Sequence, residues 1–286
     1  MRRFLLKLFK VVSAIIIVLL TVFLILIHNF FQPKSSEEIL SDFKESSKEV
    51  YISNKDIDGK TIRVLASQFE IDTLKPTVVF VHGSPGSGMD FKKYLQDSEL
   101  SKKANLITYD RVGYNFGSND ELLPIRSEVQ ILEQLISELS ASKTIIVGYS
   151  YGGPIALGVK SEYKEVILCA PAAIAEVEPM FWFLNFYKWR ATRWLVPEML
   201  QTASKEKLSH ANDLRSMEQN WGANPSNIKT IHGDKDWIVP YENALKLQQI
   251  FPKDQFELKT LDGASHDLIW SRYEEVKEEL LKSIEA

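Results

Sequence analysis

A serine between two glycines, in the order Gly148-Tyr149-Ser150-Tyr151-Gly152, follows the apolar run Thr144-Ile145-Ile146-Val147 and precedes the helix-compatible Pro154-Ile155-Ala156-Leu157. Strand, sharp turn and helix form the context in which Gly-x-Ser-x-Gly presents a serine hydroxyl as a nucleophile. That hydroxyl needs a base within hydrogen-bond reach, itself oriented by a third group. Of the five histidines, His28 falls in an apolar N-terminal run, His82 and His232 directly precede glycines at strand ends, and His210 lies in a polar stretch. His266 occupies the loop Asp262-Gly263-Ala264-Ser265-His266-Asp267 between the last predicted strand and the last predicted helix, and is the expected base. The expected acid is Asp236, far enough past Gly233 to fold back toward the histidine, whereas Asp234 is better placed to stabilise the turn. Acyl transfer by such a set also needs two backbone N–H groups aimed at the oxygen that becomes negative. Tyr151, after the nucleophile, supplies one. Ser84, in the glycine-rich loop His82-Gly83-Ser84-Pro85-Gly86-Ser87-Gly88, supplies the other; that loop lacks the Lys-Ser/Thr pair of a phosphate-binding P-loop. No metal or organic cofactor is needed.

Positioning these residues requires a sheet. Strands are expected at 50–53 and 61–67, with a hairpin-turn signal at Asp58-Gly59, and then at 77–81, 105–109, 143–148, 164–169, 227–232 and 255–260. Helical patterns alternate with them at about 89–100, 125–141, 152–161, 241–251 and 270–284. The alternation predicts an α/β domain over 50–286, with a mostly parallel eight-stranded sheet covered by helices on both faces. One segment breaks it: 171–225 has no strand pattern and carries four of the six tryptophans, Trp182, Trp189, Trp194 and Trp221. It is read as a helical cap over the carboxyl edge of the sheet. Most of its aromatics are expected to pack the cap on the core, while Lys188, Arg190 and Arg193 among them permit contact with a membrane surface.

The net charge of −4 is unevenly spread. Residues 1–34 hold Arg2, Arg3, Lys7, Lys10 and Lys34 and no acid, leaving 29 basic and 38 acidic residues, a net −9, in the remainder. An acidic body without basic clusters excludes nucleic acid as the expected partner. The single cysteine, Cys169, rules out an intramolecular disulfide and sits in the strand-like Val166-Ile167-Leu168-Cys169-Ala170, as a small buried side chain would. From Val11 to Phe31 no residue is charged, a run of 21 that suffices to cross a bilayer as a helix. Four positive charges before it and Glu37 and Glu38 after it place the N-terminus in the cytoplasm and the body on the other side. A cleaved signal peptide is the rival reading; His28-Asn29-Phe30-Phe31-Gln32-Pro33 offers no small-x-small cleavage site, so an uncleaved anchor over 1–33 is expected. Residues 34–49 form a polar, partly helical spacer.

The motifs His82-Gly83-Ser84-Pro85-Gly86, Asp110-Arg111-Val112-Gly113-Tyr114, Gly148-Tyr149-Ser150-Tyr151-Gly152-Gly153, Gly233-Asp234-Lys235-Asp236 and the His266 loop, in this order over about 76–286, resemble the α/β-hydrolase fold-1 superfamily. The order Ser150, Asp236, His266 is the one expected there. The first two motifs are similar to the proline iminopeptidase and epoxide hydrolase branch, which implies a cap inserted after the sixth strand. Serine at the elbow departs from the aspartate of epoxide hydrolases and haloalkane dehalogenases, and flanking tyrosines depart from the Gly-Gly-Ser-Trp-Gly usual in iminopeptidases. The triad with the anchor predicts a membrane-anchored serine hydrolase acting on a small-molecule or lipid-like ester, and the aromatic cap and the tether predict an apolar acyl or alcohol group. Amidase, iminopeptidase or C–C bond hydrolase activity of the same triad is the alternative. A catalytically inactive binding module is a further reading, and the complete set of catalytic residue types argues against it. An iminopeptidase would draw on cap carboxylates, for which Glu176, Glu178 and Glu198 are available.

Overall fold

Eight short runs rich in Val, Ile, Leu and Thr build one sheet: β1 (Tyr51–Ile57), β2 (Lys60–Ala66), β3 (Thr77–Val81), β4 (Asn105–Tyr109), β5 (Thr144–Tyr149), β6 (Glu165–Cys169), β7 (Ile228–Gly233) and β8 (Phe256–Leu261). The structure, a computed structural model, describes residues 2–44, 49–115 and 122–286, so residues 45–48 of the expected spacer lie outside the described residues. The spatial order is β1-β2-β4-β3-β5-β6-β7-β8. β1 and β2 form an antiparallel hairpin, β2 joins β4 antiparallel, and every pairing from β4 to β8 is parallel. β3, β4 and β5 are buried at every position. They show no polar alternation because helices cover both faces of the sheet.

The helices are α1 (Arg2–Phe30), α2 (Ser36–Lys44), α3 (Lys92–Leu95), α4 (Ser98–Lys103), α5 (Ile125–Leu135), α6 (Gly152–Leu157), α7 (Asn185–Lys188), α8 (Glu198–Met217), α9 (Glu242–Ile250), α10 (Leu268–Ser271) and α11 (Tyr273–Glu285). On one face α5, α6, α8 and α9 share an apolar core with Val79, Val81, Ile146 and Val166. On the other, α2, α3, α4 and α11 pack with Val78, Phe80, Ile145 and Ile167. α2 lies within the polar stretch 34–49, yet its Ile39 and Phe43, four apart on one side of the helix, are fully buried in that second core. α1 has a mean hydropathy of 3.0 over its most apolar window and buries none of that window in the protein. It is long and apolar enough to cross a membrane.

Several predicted helices are shorter than their patterns. The 125–141 helix ends at Leu135, where Ser137 Oγ donates to the Gln134 carbonyl at 2.8 Å and competes with the helical ladder. The 152–161 helix ends at Leu157, before Gly158. The 89–100 helix is divided at Asp97, whose side chain caps α4 by accepting from the N–H groups of Glu99 and Leu100. The last helix is broken at Arg272 into α10 and α11.

Between β6 and β7 the chain holds no strand. It forms α7, α8 and short 3-10 turns, the helical insertion expected after the sixth strand. The expectation that its aromatics pack against the core holds for Trp221, which is buried and donates its indole N–H to the Ala173 carbonyl at 2.9 Å. It fails for Trp182, Trp189 and Trp194, which are 74%, 60% and 67% exposed. α7 is a single four-residue turn, and the buried side of this stretch is already taken by Leu184 and Tyr187.

Candidate active site

The elbow is built by contact. A Cβ on Gly148 would lie 2.4 Å from the Gly152 carbonyl oxygen, and one on Gly152 would lie 2.2 Å from the Val81 carbonyl oxygen. Only glycine lets α6 cross β5 and β3 this closely. Between them Ser150 adopts a left-handed φ of 53°, a conformation that costs roughly 1–3 kcal/mol in a residue other than glycine. The surroundings hold it there: Ser150 N–H donates to the Cys169 carbonyl at 2.9 Å, and its own carbonyl accepts from Gly153 N–H at 2.9 Å and Ala172 N–H at 3.1 Å. Gly152→Ala is expected to cost more than about 4 kcal/mol, because the clash is with backbone that cannot rotate away. Thermal unfolding followed by circular dichroism checks this, and a variant melting within a few degrees of wild type would contradict it.

Ser150, Asp236 and His266 come from the ends of three separate strands, and the structure brings their side chains together. His266 Nδ1 donates to Asp236 Oδ2 at 2.7 Å, and His266 Nε2 accepts from Ser150 Oγ at 3.0 Å. The three are 6%, 7% and 9% exposed for Ser150, Asp236 and His266 respectively. Asp236 Oδ1 accepts from the N–H groups of Ile238 and Val239, each at 2.9 Å, which fixes the carboxylate plane. Burial raises the Asp236 pKa, but hydrogen bonds from His232 and His266 outweigh it and hold the carboxyl well below the usual range. His232, buried at the end of β7, donates Nε2–H to the Val239 carbonyl at 3.0 Å and lies 3.4 Å from Asp236 Oδ2. Asp234 points elsewhere and accepts from Gly263 N–H at 2.6 Å, tying the Asp236 turn to the His266 loop.

Ser84 and Tyr151 flank the elbow. Among the described residues neither backbone N–H donates to a backbone carbonyl. The loop carrying Ser84 is pinned by His82, whose Nδ1 donates to the Gly83 carbonyl at 2.8 Å and whose Nε2 accepts from Arg111 N–H at 2.9 Å. Burial, aided by the Arg111 charge, pushes the His82 pKa far down, so the ring stays neutral.

A buried network around Arg111 has no counterpart among the residues chosen from sequence. Arg111 binds Glu206 of α8 through both Nη atoms, at 2.9 to 3.1 Å, and Nη2 also donates to the Gly83 carbonyl at 3.3 Å. Tyr114 Oη donates to Glu206 Oε2 at 2.5 Å and accepts from Ser84 Oγ at 2.9 Å. The Arg111 guanidinium also lies 4.6 Å from the Tyr151 ring centroid. The cap is thus fastened to the segments that carry Ser84 and Tyr151. Arg111 and Tyr114 belong to a motif visible in the sequence. Glu206, in Lys205-Glu206-Lys207, reads as solvated surface, and only the packing of α8 shows its burial. His210, on the same helix, packs with its ring tilted against Tyr151 at 4.7 Å, donates to the Ala172 carbonyl at 2.8 Å, and is pushed down to a pKa of about 3 by burial.

Glu128 lies 3.9 Å from Arg111, and neither of its oxygens has a hydrogen-bond partner among the described residues. Burial raises its pKa from 4.5 to about 7 despite Arg111. The folded state therefore binds a proton that the unfolded chain has released, and stability falls as pH rises from about 4.5 to about 7. Asp90, also raised to about 7 by burial, acts in the same direction. Glu128→Gln should flatten this decline when urea midpoints are measured across the range; an undiminished slope would mean that Glu128 does not titrate there.

Residues 78–279 match the alpha/beta hydrolase family. Two proline iminopeptidase sequences of Lactobacillus helveticus, one from strain DPC 4571, are 30% identical to the chain over 93 residues, or 31% of the chain and 32% of each relative. The chain therefore spans about a third of the length of these relatives. A membrane phospholipase A described as a bacterial virulence factor has a similar structure, with a TM-score of 0.65, 15% identity, and coverage of 100% of this chain and 98% of the other. An alpha/beta hydrolase enzyme from a Medee basin deep-sea metagenome library gives 0.62 at 18% identity, covering 82% and 98%. An esterase from Exiguobacterium antarcticum gives 0.57 at 18% identity, also covering 82% and 98%. At these identities the structural likeness speaks for the fold, and it agrees with the family match across 78–279: the chain belongs to the alpha/beta hydrolase family.

Proposed function

We propose that this protein is a membrane-anchored serine hydrolase that cleaves carboxylic esters through an acyl-enzyme. The observation that carries the reading is the continuous hydrogen-bonded line from Asp236 through His266 to Ser150 Oγ, at 2.7 and 3.0 Å. Ser150 Oγ attacks the ester carbonyl carbon while His266 Nε2 takes its proton, and the imidazolium returns that proton to the departing alcohol. Asp236 keeps the ring in the tautomer with Nδ1 protonated and stabilises its charged form. The Ser84 and Tyr151 N–H groups bind the oxyanion, each such donor lowering the barrier by roughly 3–4 kcal/mol. Water activated by His266 then attacks the acyl-enzyme, and Ser150 is regenerated with release of the acid.

Residues 1–33 serve as the anchor, 34–49 as the connection and 50–286 as the hydrolase domain, with the N-terminus cytoplasmic and the domain on the opposite side of the membrane. The charge asymmetry around α1 supports that orientation, and the esterase and phospholipase structures named above support a small-molecule or lipid-like ester as substrate.

The arrangement of the cap favours an ester over the free amino terminus an iminopeptidase must bind. Glu176 is exposed and paired with Lys246, Glu178 is half-buried with its side chain covered and paired with Lys207, and Glu198 is exposed at the start of α8. Glu206 is neutralised by Arg111. Each of the three buried or paired carboxylates already has its own cation. The test is a panel of p-nitrophenyl esters of rising chain length beside a prolyl p-nitroanilide. The esters are expected to be hydrolysed with kcat/KM at least about a hundredfold higher; preference for the anilide would overturn the ester assignment in favour of the peptidase.

A further inference from the structure

The chain enters the hydrolase domain at a fixed point. The Lys34 carbonyl accepts from Arg63 Nη1 at 2.8 Å. Arg63, 3% exposed, pairs with Asp110 Oδ2 at 2.6 Å, and Asp110 Oδ1 accepts from Gly88 N–H at 2.8 Å. The next residue, Arg111, holds Glu206 of the cap. A hydrogen bond to the Lys34 carbonyl and two successive buried ion pairs therefore run from Lys34, along the carboxyl end of β4, into α8. Only three residues lie between Phe30, the last of α1, and Lys34, and the four extended steps from one to the other reach at most about 14 Å. An anchor helix leaving the bilayer at Phe30 keeps this edge of the sheet, with its cap, beside the headgroups.

The cap exposes what a membrane surface takes. Trp182, Trp189 and Trp194 project with Phe183 and Phe186, and all five are at least 43% exposed. Lys188 and Arg190 stand exposed between them, and among the described residues no carboxylate pairs with either. Indoles beside cations are the composition of the membrane–water interface.

We propose that this face of the cap lies on the bilayer that holds α1, with its indoles at headgroup depth and Lys188 and Arg190 toward anionic phosphates. The proposal rests on the anchor reading above, and one experiment separates the two. α1 contains no tryptophan, so indole fluorescence reports on the body alone, and Trp237 and Trp270, also exposed, remain in the variant as its residual signal. The full chain is reconstituted into vesicles of phosphatidylcholine and phosphatidylglycerol with brominated acyl chains, beside the variant Trp182→Ser/Trp189→Ser/Trp194→Ser. Expected are quenching of the wild-type indoles that is largely lost in the variant, an unchanged rate on a dissolved short-chain ester, and turnover of a vesicle-borne ester lower by about tenfold. The dissolved-ester rate confirms that the variant is folded.

Unquenched indoles in protein that resists alkaline carbonate extraction would overturn the docking face and leave the anchor standing. Carbonate extraction with quenching retained would overturn the anchor and support the face by itself; extraction without quenching would overturn both. Unquenched indoles whose emission shifts to the blue as protein-to-lipid ratio rises would mean that a second copy covers the face, which also overturns the proposal.

Discussion

Ser150→Ala should leave a folded protein whose kcat on esters is lower by about a million-fold, the scale seen when a serine hydrolase loses its nucleophile. The substitution removes one oxygen, and the side-chain hydrogen bond it abolishes is the one to His266. The strained backbone at 150 remains, because the bonds from Gly153 and Ala172 to the residue's carbonyl and from its N–H to Cys169 involve main chain only. Stability is therefore expected to change by less than about 1 kcal/mol, and KM to change little, since the Ser84 and Tyr151 N–H groups and the cap are untouched. Turnover retained within a factor of about ten would mean that the chemistry uses another nucleophile.

Asp236→Asn is expected to lower kcat by about 10⁴-fold, while Asp234→Asn leaves it within a few-fold. In the Asp236 variant the amide oxygen can keep the bonds from Ile238 and Val239, so the loop stays in place. The amide nitrogen then faces His266 Nδ1 and must donate to it, which moves the ring proton to Nε2. An Nε2–H cannot accept the Ser150 proton. Asp234, partly exposed, uses one oxygen on Gly263 N–H, and asparagine retains such an acceptor. Steady-state kinetics on one p-nitrophenyl ester for both variants separates them. A large loss in Asp234→Asn with activity preserved in Asp236→Asn would transfer the acid's role to Asp234.

The features readable in the sequence are those set by local pattern. Ile145-Ile146-Val147, β-branched and followed at once by glycine, reads as a strand buried on both faces, and Gly148 and Gly152 mark the close crossing that follows. The Asp236 and His266 loops are legible for the same reason, since short polar, glycine-containing turns after apolar strands deliver side chains to one edge of a parallel sheet. What was not legible depends on partners distant in sequence. Glu128 on α5 and Glu206 on α8 are charged residues that nothing in their own helices marks as paired, and they are buried with Arg111 between them. Ile39 and Phe43 are two of only three apolar residues in the polar stretch 34–49, too few to signal that α2 docks on the sheet. Trp182, Trp189 and Trp194 have the residue type of a core and the exposure of a surface. Composition cannot separate those cases, because it does not say how many layers lie over a short turn.

The central claim, that Ser150 is an activated nucleophile, is tested most directly by reaction with a fluorophosphonate probe followed by mass spectrometry of the labelled peptide. Folded wild-type protein is predicted to take up one probe, on the peptide containing Ser150, and Ser150→Ala none. A folded wild type that stays unlabelled, or a Ser150→Ala protein that labels as well as wild type, would contradict it.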